Sequence, residues 1–169
     1  GVVQPQRGAK AQPAIGCVRE GTMPGISASL LARLMIGGGV IDLGGFTITG
    51  ATTAILCTGG CKVSNGKLVN NARGVVSNQG PASLTDVIAD GGDTAALGAT
   101  GVVLKNVEFK NLSHGFLSTL GGAKLLNVHQ YGGVTGGLAA KSIKAVDSTI
   151  SGPLQYGLRS DKVRLINSS

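Results

Sequence analysis

Apolar and polar positions in this chain recur with a long period. Aligning Val63-Ser64-Asn65-Gly66, Leu84-Thr85-Asp86-Val87, Leu104-Lys105-Asn106-Val107, Leu125-Leu126-Asn127-Val128, Ala145-Val146-Asp147-Ser148 and Leu165-Ile166-Asn167-Ser168 brings one Asn or Asp per segment into a column. Its members, Asn65, Asp86, Asn106, Asn127, Asp147 and Asn167, are spaced by 21, 20, 21, 20 and 20 residues. A second column, Gly74, Ala95, Gly115, Gly136 and Gly157, is spaced by 21, 20, 21 and 21. Between the columns apolar residues alternate with polar ones or run in short β-branched bursts such as Val75-Val76 and Val102-Val103-Leu104, which is the pattern of strands.

A repeat of this length with Asn and Gly at fixed phase is satisfied by a chain that returns to its starting angle every repeat. Like residues then stack at the strand spacing of about 4.8 Å. The pattern predicts an all-β fold over residues 37–169, a single-stranded right-handed parallel β-helix of about six to seven coils of ~20 residues each. Asn and Asp tolerate the left-handed backbone that a sharp corner needs, and stacked copies can hydrogen-bond to one another. The column from Asn65 to Asn167 is therefore read as a structural ladder and not as catalytic machinery.

Residues 1–25 carry Pro5, Pro13 and Pro24 without periodicity and read as an extended N-terminal leader. Residues 26–36, Ile26 to Ile36, place apolar side chains at helical spacing and stop at Gly37-Gly38-Gly39, which predicts a short α-helix capping the open first coil. At the other end, Asn167-Ser168-Ser169 stops just past a corner, so the last coil is opened and not completed. The expectation is that this end is covered, by a second copy in a homo-oligomer, by another part of a longer chain or by a partner.

Composition narrows the core. Hydrophobic residues make up 42% of the 169, aromatics only 3%, and there is no Trp, so the interior must be built from Val, Ile, Leu and Ala. The 29 glycines imply many tight turns. No run approaches the eighteen or so apolar residues of a membrane-spanning helix. Cys17, Cys57 and Cys61 are an odd number: Cys57 and Cys61 could close a small loop in an oxidising compartment, or all three could be free small hydrophobes. No zinc-ligand spacing is present, and no metal site is expected on that ground.

The net charge of +7 favours an anionic partner. Three residues before each ladder position stand Lys62, Ser83, Val103, Lys124, Lys144 and Arg164, so the last three basic residues should stack on successive coils. Like charges one strand apart repel, and a long acidic ligand would relieve them. The competing reading is a solvated face that resists aggregation. A neighbouring row of Arg73, Thr94, His114, Thr135 and Tyr156, with Lys110 and Tyr131 near it, is the expected lining of a shallow glycan groove. Nucleic acid fits less well, because rings and basic residues are not interleaved for stacking. Asp90 and Asp93, in a Gly-rich coil, are the one place where a calcium ion is considered.

Ile41-Asp42-Leu43-Gly44-Gly45-Phe46-Thr47-Ile48-Thr49-Gly50 resembles the first-coil motif of the pectate-lyase-like right-handed parallel β-helix superfamily, and Ser64-Asn65-Gly66-Lys67-Leu68 resembles its second-coil counterpart. The similarity covers roughly residues 37–169 and implies the fold while leaving function open, because the superfamily spans lyases, hydrolases, epimerases, phage tail proteins and adhesins. Ser113-His114-Gly115 is similar to the Gly-His-Gly of its pectin hydrolases, but the Asn-Thr-Asp element and paired aspartates that glycoside hydrolysis requires are missing. The expected function is a secreted or cell-surface β-helix scaffold that contacts an acidic polysaccharide or another polyanion without established catalysis. The alternative is a polysaccharide lyase acting on uronic-acid glycans, with Lys or Arg as base.

Overall fold

The structure, a computed structural model, describes residues 34–152 and 155–169. It is an all-β parallel solenoid of right-handed type with about six turns. Every pairing between strands is parallel, and each coil pairs with the next in one continuous register. In the middle of the stack a whole coil reads as one bent strand, as in Cys61–Ser77, Pro81–Gly98 and Gly101–Ser118. The flanking coils break at their corners into shorter pieces such as Gly122–Tyr131 and Thr135–Ala139.

Each coil has three sides. The first runs through positions such as 102–105, the second through 107–110 and the third through 114–118. The corner between the first and second sides is made by the predicted ladder, and all six members have left-handed backbone, with φ from 48° at Asn167 to 56° at Asn65. The corner between the second and third sides is a second left-handed column, Gly50, Asn70, Gly91, Asn111, Gly132 and Gly152, with φ between 51° and 80°. The strand registers on either side of these residues bring them into line. Gly, Asn and Asp occupy both columns because they are the residues that tolerate this conformation.

The interior is mostly aliphatic, as expected from the composition, but its two largest fully buried side chains are aromatic, Phe109 and Phe116. Val63, Leu84, Leu104, Leu125 and Ala145 stack inward on the first side, and Ile55, Val75, Ala96 and Phe116 on the third, all buried. Large residues face small ones: Phe116 pairs with Gly137, where a Cβ would run into the Phe116 ring. Several polar side chains are buried as well, and the two amides among them tie the chain internally. Asn71 is 3% exposed, and its Oδ1 accepts from the Ala51 N–H at 2.9 Å while its Nδ2 donates to the Ile48 carbonyl at 2.9 Å, tying one coil to the next. Gln130 lies between Phe109 and Ile150 and donates from Nε2 to the carbonyls of Gly132 and Thr135.

Two expectations meet the structure at the N-terminal end. Leu34–Ile36 is a strand, where the apolar spacing predicts the last turn of a capping helix. Its pairing, Leu34↔Ile55, Met35↔Leu56 and Ile36↔Cys57, extends the third side by one more strand, so long-range pairing prevails over local periodicity here. The remainder of the expected helix, 26–33, and the leader at 1–25 lie outside the described residues. The turn Thr58-Gly59-Gly60 is closed by a Cys57–Cys61 disulfide with a Cα–Cα distance of 6.1 Å. In the last coil Val163 and Leu165, stacked on Ile143 and Ala145, are 44% and 50% exposed.

Candidate functional site

The basic column is in register. Lys62 pairs with Ser83, Ser83 with Val103, Val103 with Lys124, Lys124 with Lys144 and Lys144 with Arg164. Lys62 is separated from the others by Ser83 and Val103, so the continuous basic row is Lys124, Lys144 and Arg164. All three are exposed and lie on one flat side of the solenoid. With strands about 4.8 Å apart, the row is about 10 Å long. The ion pairs among the described residues are Lys110–Glu108 at 3.0 Å and His114–Asp93 at 3.4 Å, and neither involves the row. Its positive charge is thus not neutralised locally.

The ladder borders the same side. Asn106 Nδ2 donates to Asp86 Oδ1 at 2.9 Å, Asn127 Nδ2 to Asn106 Oδ1 at 3.1 Å and Asn167 Nδ2 to Asp147 Oδ1 at 3.2 Å. At the start of the stack Asn65 Nδ2 donates to Asp42 Oδ1 at 3.0 Å. The Gly44 backbone N–H, and after it the Asn65 amide, hold the exposed Asp42 carboxyl below the usual aspartate range. The ladder is thus a structural element whose outer edge still offers amides and carboxylates to solvent.

The mixed row is also in register, Arg73↔Thr94↔His114↔Thr135↔Tyr156. Thr94 and Thr135 are buried at 3% exposure each, so the row presents separate groups and no continuous lining. His114 Nδ1 faces Asp93 Oδ1 at 3.4 Å, and the Arg159 guanidinium carbon lies 5.2 Å from the centre of the Tyr156 ring. Lys110 and Tyr131 are neighbours on the second side, across the Asn111 corner from His114 and Tyr156. Lys110 is held by Glu108.

Asp90 Oδ1 accepts from Asn111 Nδ2 at 2.9 Å, and Asp93 Oδ2 accepts from Thr94 Oγ1 at 3.3 Å. Among the described residues no three or more His, Cys, Asp and Glu side chains come together as metal ligands. No helix among them is long and apolar enough to cross a membrane.

Two features of the surface do not emerge from the sequence reading. His129, whose Nε2 lies 3.0 Å from Asn127 Oδ1, pairs in register with Glu108 and lines a shallow groove with Asp86, Asn106 and Asn127. Beside the basic row runs an aliphatic one, Leu126↔Val146↔Ile166. The signal for it is present in the sequence, an apolar residue two positions after each basic one, at the spacing that puts both on the same face of a strand. No family model, curated protein or solved structure matches this chain.

Proposed function

We propose that this protein is a non-enzymatic β-solenoid scaffold, secreted or displayed at the cell surface, whose first side binds an acidic polysaccharide. One observation carries the reading: Lys124, Lys144 and Arg164 are stacked on three successive parallel strands, exposed and without a carboxylate in ion-pair range. Three cations held one strand spacing apart repel one another, and a linear polyanion laid along the solenoid axis meets all three at once, turning that repulsion into attraction. The Cys57–Cys61 disulfide supports an oxidising compartment, where an acidic glycan would be met. We further propose that the chain is a divergent member of the pectate-lyase-like superfamily, on the strength of the residues at 41–50 and 64–68.

The test is a glycan array carrying polygalacturonate, alginate, glycosaminoglycans and neutral glucans, read at low and high ionic strength. Binding confined to the acidic polymers and weakened by salt supports the proposal. Equal retention of neutral glucans, or no binding to any acidic polymer, overturns it. Appearance of the ultraviolet absorbance of unsaturated uronate ends in the bound material overturns the non-enzymatic part and assigns a lyase.

A further inference from the structure

On the first side of the solenoid two outward columns run in parallel. One is Val40, Lys62, Ser83, Val103, Lys124, Lys144 and Arg164, and the other is Asp42, Ser64, Thr85, Lys105, Leu126, Val146 and Ile166. The second column is polar over its first four members and turns aliphatic at Leu126, on the same three coils where the first becomes continuously basic. Leu126 is 42% exposed, and Val146 and Ile166 are half-buried. Immediately after them come Asn127, Asp147 and Asn167, the outer edge of the ladder.

Three lanes therefore lie side by side over three coils: cationic, aliphatic and amide or carboxylate. A solvent-facing aliphatic column on a flat parallel sheet is a feature that stacked β-folds ordinarily avoid, since it invites self-association. Its confinement to the coils that carry the basic row ties it to the same ligand.

Resting on the acidic-polysaccharide reading above, we infer that Leu126, Val146 and Ile166 form a platform for the apolar C–H faces of sugar rings, so that this side is built for a linear polyuronate lying lengthwise along the solenoid. A uronate unit carries a carboxylate on one edge, an apolar ring face and hydroxyl groups on the opposite edge. Successive units of such a chain are turned about its axis, so the units that present their carboxylate to the row of Lys124, Lys144 and Arg164 lay a ring face over the aliphatic column and direct hydroxyls toward Asn127, Asp147 and Asn167, while the units between them turn their carboxylates away. The platform takes the place of the aromatic one that sugar sites commonly use, since neither outward column of the first side carries an aromatic residue. Half-buried side chains on a flat side supply contact area without the protruding wedge that insertion into a lipid surface requires.

The experiment compares the parent chain with the double variant Leu126→Ser, Val146→Thr, using two polyanions: polygalacturonate, which has ring faces, and inorganic polyphosphate, which has none. Both substitutions are on the outside of the coil, and Val146→Thr keeps the side-chain shape; a far-ultraviolet spectrum and melting curve like the parent's establish that the variant is folded. The expected result is a roughly tenfold loss of affinity for polygalacturonate, with unchanged salt dependence and unchanged polyphosphate binding. Unchanged polygalacturonate affinity in the variant overturns the platform while leaving the anion-binding reading intact. Equal losses for both polyanions overturn it as well, because the effect then bypasses the ring face. A parent that ignores polygalacturonate but binds phosphatidylserine vesicles overturns both readings and assigns a membrane surface. Should the double variant not fold, Val146→Thr alone is measured against the same criteria, with about a threefold loss expected.

Discussion

The side-chain amide of Asn127 donates to Oδ1 of Asn106, one coil away, at 3.1 Å, and both residues have left-handed backbone with φ of 52°. One residue type thus answers two demands, the corner and the bond between coils. Asn106→Ala removes the bond it donates to Asp86 and the one it accepts from Asn127, and keeps a Cβ in left-handed backbone, at a cost of about 1–2 kcal/mol, without the polar side chain that makes Asn tolerant of it. Asn106→Gly loses the same bonds without that strain. Urea unfolding should therefore rank stability as parent, then Gly, then Ala. A variant with Ala at least as stable as the one with Gly would show that the corner does not constrain this residue.

The Cys57–Cys61 disulfide spans a sequence separation of 4, in the turn where the next coil carries Ser77 and Ala82 at the paired positions. Closing so short a loop removes unfolded-state entropy worth about 2 kcal/mol. Cys57→Ser with Cys61→Ala places the next coil's own residues in the turn, so it should fold and be less stable by roughly that amount. Reduction of the parent should give the same loss, seen first as faster amide exchange around 53–64. A reductant without effect on unfolding would contradict this.

The Gly44 N–H, and after it the Asn65 amide, hold the Asp42 carboxyl below the usual aspartate range. A carboxyl with its folded pKa below its unfolded value near 3.9 contributes stability that is fully present above that value and is lost as pH falls through the folded one. Between the two the unfolded chain binds more protons, so stability rises with pH. The difference in unfolding free energy between the parent and Asp42→Asn should be constant above about pH 5 and shrink as acid is added below about pH 4. A difference independent of pH across that range would sink the assignment.

How much of this is legible in the sequence depends on how uniform each column is. The first corner is visible because Asn or Asp holds it in coil after coil, and the third-side column of Gly and Ala because small residues hold it. The second corner is not, since Gly50, Asn70, Gly91, Asn111, Gly132 and Gly152 mix two letters that the backbone treats as one. The basic row is legible as a phase in the repeat, and the register confirms its placement. Which row members stay accessible is not legible, because burial of Thr94 and Thr135 depends on how closely the coils stack at that corner. The strand at Leu34–Ile36 escapes for a related reason, as its pairing partner lies some twenty residues ahead.

The stacked cations of the first side are what the polyanion would meet, and their contribution is measured directly. Titration of polygalacturonate into the parent and into Lys124→Glu with Lys144→Glu, at low and at high ionic strength, compares a row of three like charges with one whose sign is reversed over two coils. Both side chains point outward, so the fold should be kept, with melting temperatures alike. The expected result is a loss of affinity of about tenfold or more at low ionic strength, where exposed charge counts most, shrinking as salt is added. Equal affinity of the two proteins at low ionic strength would contradict it.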